Sequence, residues 1–133
     1  MKKYSFLAIA MLLSAGVQAA TDHYLLRDGN HVQHLKVNQV ADDVTVTVDV
    51  DFEPNADEQG KQACSADISG DAKYVAENEI LMRKHWDGEA RYCNLNIKLT
   101  QDGATVEQSE GCGYFVAGIC RFSTEGRTLV RVP

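Results

Sequence analysis

The chain reads as an all-β domain, an antiparallel β-sandwich or small barrel of about eight strands stapled by two disulfides. Three observations carry that reading. Apolar and polar residues alternate with period two along most of the chain after residue 20, the mark of strands with one buried and one solvated face. Asp-Gly and Glu-Gly pairs punctuate the alternating runs at hairpin spacing. Four cysteines, Cys64, Cys93, Cys112 and Cys120, all follow a hydrophobic leader, and an even count in a small exported domain reads as two bridges.

The leader is "MKKYSFLAIAMLLSAGVQAA", with two lysines, an apolar run from Phe6 to Val17, and Ala19 and Ala20 at its end. That is the charged, hydrophobic and small-residue order of a secretory signal peptide. The run falls short of the roughly 20 apolar residues that span a bilayer. Residues 1–20 are therefore expected to be removed, leaving 21–133 as a single β-domain in the periplasm or outside the cell, without a membrane partner.

The clearest strand is "DDVTVTVDVDF", which sets Val44, Val46, Val48, Val50 and Phe52 on one face. "YCNLNIKLT" repeats the pattern with Cys93, Leu95, Ile97 and Leu99 inward and Asn94, Asn96 and Lys98 outward. Shorter strands are predicted at "HYLLRD", "HVQHLKV", "ACSADIS", "EILMRKH", "ATVEQSE", "YFVAGICRF" and "RTLVRV", with turns at Asp28–Gly29, Asp87–Gly88, Asp102–Gly103 and Gly126. "YVAENEILMRKHW" is the one stretch that can supply a short helix, and "EPNADEQGKQ" is a long acidic loop. Cys112 and Cys120 flank only seven residues, short enough to be bridged across a turn, so spacing favours Cys112–Cys120 with Cys64–Cys93. No C-x-x-C pair is present to suggest zinc or redox chemistry.

The formal net charge is −6, and the leader takes Lys2 and Lys3 with it, leaving −8. Such a balance argues against nucleic acid and anionic lipid as partners and permits a basic one. Catalytic patterns are missing: the chain has no Gly-x-Ser-x-Gly elbow and no His-Glu-x-x-His helix. His31 and His34 fall on opposite faces of one strand, and the four histidines read as surface residues. The acidic loop lacks the alternating ligand pattern of a calcium site. Neither a cofactor nor a metal nor a catalytic residue is expected, and the chain reads as a non-enzyme. Trp86, at a turn tip in "KHWDGE", is a candidate anchor for a partner, since exposed Trp concentrates in interfaces.

The stretch "CSADISGDAKY", residues 64 to 74, reads on its own as strand-turn-strand. Its "SGDAKY" also resembles the Ser-Gly…Ala-Lys/Arg-Tyr signature of periplasmic lysozyme inhibitors, with one residue more between the Ser-Gly pair and the Tyr. The Cys64…Gly70-x-Ala72-x-Tyr74 run, "YCNLNIKL" and "CGYFVAGICRF" resemble the cysteine-rich immunity proteins that block muramidase effectors of type VI secretion. The second inhibitor motif, Tyr-x-Cys-x-x-Gly near the domain start, is absent, which favours the immunity-like group.

The resemblance implies a loop pinned beside a disulfide that occludes the cleft of a peptidoglycan hydrolase, muramidase or lysozyme in type. Ser69, Gly70, Asp71, Lys73, Tyr74 and Trp86 would form the partner-binding set. Ser69 would hydrogen-bond the hydrolase's catalytic carboxylate, Lys73 would depress its pKa, and Tyr74 would add buried area. Other readings compatible with the sequence are a small-ligand or glycan-binding module and an envelope structural protein. An amidase target and a homodimer built on an edge strand are compatible too.

Overall fold

The computed structural model describes residues 19–54, 63–85, 88, 90, 92–114 and 120–133. Trp86, most of the leader, most of the acidic loop and residues 115–119 lie outside the described residues. Eight strands run in sequence order and close on themselves: β1 (Ala19–Asp28), β2 (His31–Val40), β3 (Asp43–Phe52), β4 (Cys64–Ala76), β5 (Glu79–His85), β6 (Tyr92–Leu99), β7 (Gly103–Gln108) and β8 (Leu129–Val132). Every neighbouring pair is antiparallel, including the closing pair β1–β8. Of the two architectures open to the sequence, the barrel is the one formed.

The period-two pattern explains the interior. Leu35, Val46, Val48, Val50, Ile80, Met82, Leu95, Ile97, Val106 and Leu129 are wholly shielded from solvent, with Tyr24, Phe52, Ile68 and Phe122 nearly so. Burying a side chain of this kind contributes about 1.5–3 kcal/mol. Cys93, Leu95 and Ile97 point inward from β6 as their alternation predicts, and Asn96 outward, donating to Glu79 at 2.8 Å.

Strand β4 departs most from expectation. The "SGDAKY" stretch is neither a turn nor a loop but the middle and far end of one 13-residue strand. Its first nine residues pair with β3, from Phe52↔Cys64 to Val44↔Ala72, and four of its last five with β5, from Ala72↔Met82 to Ala76↔Glu79, with a shift of register between Tyr74 and Ala76. Residues 64–69 fall in the strand predicted at "ACSADIS"; beyond Ile68 the inward positions are small (Gly70, Ala72), which hides the far half of the strand in the sequence, and a Cβ on Gly70 would stand 3.4 Å from Met82 Sδ. The stretch proposed as a helix instead forms the β4–β5 hairpin, because Ile80 and Met82 two residues apart both fill the core.

The disulfides join Cys64 to Cys120 and Cys93 to Cys112, not the pairs that spacing favours. The expected strand "YFVAGICRF" is not formed in its described parts: Glu110–Tyr114 is a 3-10 helix, and Cys120–Phe122 is irregular. That helix packs on β6, bringing Cys112 to a Cα–Cα distance of 4.3 Å from Cys93. Cys120 meets the start of β4 instead, and Phe122 turns into the core.

Both bridges therefore sit at one end of the barrel. There the segment from Phe122 to Thr124 seals the wall where β8 does not reach. Thr124 exchanges hydrogen bonds with the Val106 backbone at 2.8 and 3.1 Å, Gln108 Oε1 accepts from Phe122 N at 2.7 Å, and buried Gln33 donates to the Phe122 carbonyl at 2.6 Å.

Closure depends on one glycine. The β7–β8 ladder has only two registered pairs, Gly103↔Val130 and Ala104↔Leu129. A Cβ on Gly103 would overlap the Leu129 carbonyl oxygen and come within 2.9 Å of its carbon. Gly103 thus serves close approach, whereas Gly29 (φ 61°) and Gly126 (φ 85°) supply the left-handed backbone of their turns.

Candidate recognition face

The outer wall of β3 and β4 carries a dense set of polar side chains. Their register places Thr45 opposite Asp71, Thr47 opposite Ser69, Asp49 opposite Asp67, and Asp51 opposite Ser65. Two of the four rows are joined by hydroxyls: Thr47 Oγ1 and Ser69 Oγ stand 3.0 Å apart, and Ser65 donates to Asp51 at 2.7 Å. The Asp49–Asp67 row sets two carboxylates face to face, an arrangement that costs stability in a sheet. Asp42 and Asp43 continue the acidic surface at the β2–β3 turn. Among the described residues, Asp42, Asp43, Asp49, Asp67 and Asp71 have no cationic or hydrogen-bonding partner.

Shallow depressions flank this wall. One of about 320 Å³ is lined by His23, His34, Lys36, Asp49, Asp51, Ser65, Ala66 and Asp67. Another, of about 400 Å³, is bounded by Asp42, Asp43, Thr45 and Asp71. A third, of about 880 Å³, lies at the disulfide end between Arg27, Asn30, Asp51, Phe52, Pro54 and Cys64.

The sequence-predicted set divides between the two faces of β4. Ser69, Asp71 and Lys73 share the outer face and are exposed, while Gly70 lies on the inner face beside Met82. Tyr74 has the inward parity but extends past the packed interior and is 44% exposed. It stands close enough to Tyr24 to help raise that residue's pKa; burial of Tyr24 is the main cause and Asp22 the next, with Arg131 opposing. Asp22 and Arg131 form an ion pair at 2.6 Å. Ser69 and Lys73 therefore lie on a wall and not at the tip of a loop, and Tyr74 lies at the far end of the strand from Cys64.

Two arrangements escaped sequence reasoning. His23 Nε2 and His34 Nδ1 approach to 2.8 Å across β1 and β2, their rings stacked with centroids 5.0 Å apart. Burial, then His34 and Lys36, lower the pKa of His23 below 6.5. The signal was present in the turn: a two-residue loop at Gly29–Asn30 fixes Leu25 opposite His34, which puts His23 diagonal to His34 on the outer face. On the opposite wall Arg83 lies over the Tyr92 ring at 3.8 Å, with His85 against the same ring. The reading of all four histidines as surface residues fails at His31, which is buried and tilted against Phe52.

Comparison with known protein families, characterised proteins and solved structures finds no match to this chain. No cluster of three or more His, Cys, Asp or Glu side chains among the described residues converges on a point that would hold a metal ion.

Proposed function

We propose that this chain is a non-catalytic inhibitor, an immunity protein that binds a basic peptidoglycan hydrolase of the muramidase or lysozyme type and covers its cleft. The observation that carries the reading is the β3–β4 wall, where Asp42, Asp43, Asp49, Asp67 and Asp71 stand solvated without cations of their own. Such a surface attracts a basic partner and accelerates encounter. Its partner residues are Ser69, Asp71 and Lys73 on the wall and Tyr74 at the rim. The barrel interior is filled by side chains, which gives a small-ligand role inside the barrel less support.

Muramidases work through a carboxylic acid that must donate a proton. Lys73 is the exposed cation of the strand that carries Asp67 and Asp71. Placed against that acid it would favour the ionised form and remove the proton donor, while the aspartates engage basic residues around the cleft. The two disulfides are consistent with an oxidising compartment, and in this reading the leader is cleaved and the protein works in the periplasm. Protection of a cell wall calls for nanomolar affinity, about −12 kcal/mol.

The test is titration of oxidised 21–133 into c-, g- and i-type lysozymes and a type VI muramidase domain, with residual wall-lysis rate as the readout. Stoichiometric inhibition of one enzyme is expected, weakened by Ser69→Ala, Lys73→Ala and Tyr74→Ala, and slowed in onset by Asp49→Lys. An absence of both inhibition and calorimetric binding across the set would overturn the muramidase assignment.

A further inference from the structure

We infer that Arg83, presented by the Tyr92 ring on the β5–β6 wall, enters the hydrolase cleft beside Lys73 and takes the second of its two catalytic carboxylates. The inference rests on the inhibitor reading above and names what this wall meets in the partner. Strand β4 divides two surfaces of opposite sign. Toward β3 stand the aspartates. Toward β5 and β6 the outward cations are Lys73, Arg83 and Lys98, against Glu79 as the one outward carboxylate of β5 and β6. A basic body with an acidic cleft complements that division.

Arg83 is both held and available. Its Cζ lies 3.8 Å from the centroid of the exposed Tyr92 ring, a cation–π contact, and His85 packs against the same ring with centroids 4.7 Å apart. Among the described residues the guanidinium makes no ion pair and donates no hydrogen bond. Its five N–H donors are therefore free for an incoming carboxylate, and the ring limits the side-chain freedom that binding would remove. Lys73 is likewise unpaired and stands opposite Leu81 in the β4–β5 register. Arg83, two residues on, is its diagonal neighbour on the same face, rooted about 7–8 Å away. The two carboxyl groups of glycoside hydrolases stand about 5–5.5 Å apart in retaining enzymes and about 6.5–9.5 Å in inverting ones. One cation for each carboxylate leaves no net charge when the cleft is covered, whereas Lys73 alone would leave a buried carboxylate uncompensated. The planar fork of Arg83 suits the carboxylate that is ionised throughout the reaction, the nucleophile or base. Lys73 then faces the general acid.

The test measures binding of oxidised 21–133 by calorimetry to whichever enzyme of the set above it inhibits. The same enzyme is also prepared with each catalytic carboxylate changed to its amide. Arg83 is exposed, so its substitution leaves the core untouched. Arg83→Gln should weaken binding to the unmodified enzyme about tenfold or more, the loss of a hydrogen-bonded charge pair. Against the enzyme whose nucleophile or base is an amide, the same change should cost no more than about twofold. Lys98→Gln, on the same wall but opposite Glu79, should stay within about twofold throughout. If the wild-type chain inhibits an enzyme while Arg83→Gln binds it within about twofold of wild type, or loses as much against that amide variant as against the unmodified enzyme, the second contact is refuted and the inhibitor reading stands. If the wild-type chain neither binds nor inhibits any enzyme of the set, both fall.

Discussion

Replacing Gly103 by alanine should open the barrel along its weakest seam. The added Cβ would overlap the Leu129 carbonyl oxygen, so β7 and β8 must separate by more than 1 Å, on the order of what ordinary contact distances require. Gly103 cannot retreat freely. Its N–H donates to Thr100 Oγ1 at 3.1 Å, and its carbonyl accepts from Thr100 N at 2.8 Å. Separation disrupts the two registered pairs of the β7–β8 ladder, worth about 1 kcal/mol per hydrogen bond. It also lets water reach the wholly buried Leu129, whose burial contributes about 1.5–3 kcal/mol in full. Losing part of that burial with the ladder gives a destabilisation of about 2–4 kcal/mol.

The internal control is Gly70→Ala. That Cβ meets Met82 Sδ at 3.4 Å, and Gly70 has no left-handed φ. The reduced freedom of the unfolded chain should make this change neutral or stabilising by about 0.5 kcal/mol. Urea unfolding of the oxidised proteins gives both values, and amide exchange at Val130 and Arg131 reports the seam directly. Equal effects of the two substitutions, or a neutral Gly103→Ala, would refute the close-approach reasoning.

Four further outcomes are expected. Non-reducing peptide mapping should recover Cys64 linked to Cys120 and Cys93 linked to Cys112. Removing the first bridge, with its separation of 56 residues, should cost about 4 kcal/mol against about 3 for the second, with its separation of 19, in urea titrations. The depressed pKa of His23 means that the folded chain resists a proton the unfolded chain accepts. Stability should therefore be full above the unfolded value of about 6.5 and fall as pH drops through the folded pKa. His23→Gln should flatten that slope in urea midpoints measured between pH 7 and 5. Asp67→Asn, by relieving the repulsion with Asp49, should stabilise the fold by about 0.5 kcal/mol in low salt while slowing capture of a basic hydrolase.

Most of the wall was legible in the sequence because alternation survives wherever the inner residues are large. Val44 through Phe52 and Cys93 through Leu99 announce both their strand and their faces. The far half of strand β4, beyond the predicted "ACSADIS", was obscured because Gly70 and Ala72 carry little hydrophobic signal, so its Ser-Gly pair resembled a turn. The bridges were misread for a geometric reason. Seven intervening residues suggest a hairpin, but Gly111 docks on β6, where an added Cβ would come within 3.2 Å of the Tyr92 carbonyl carbon, and Cys120 is bridged to β4. Which cysteines meet depends on closure of the whole barrel, a property no local spacing contains. On the candidate face, Ser69 and Lys73 could be named in advance, but the acidic rows could not, since they arise from the β3–β4 register.

The order of strands around the barrel bears on how quickly it can assemble. Seven of its eight ladders join strands that are neighbours in sequence, and only β1–β8 spans nearly the whole chain. Hairpins of that kind form early because little loop entropy opposes them. The terminal ladder has three registered pairs, His23↔Val132 to Leu25↔Val130, and its long loop closure pays off only after the rest has gathered. An intermediate with β1 and β8 apart would expose two unpaired edges, each a template for a second chain. The staples Cys64–Cys120 and Cys93–Cys112 tie the segment that precedes β8 to β4 and β6, so in the oxidised chain the closing strand is held near its ladder and has less loop entropy to lose.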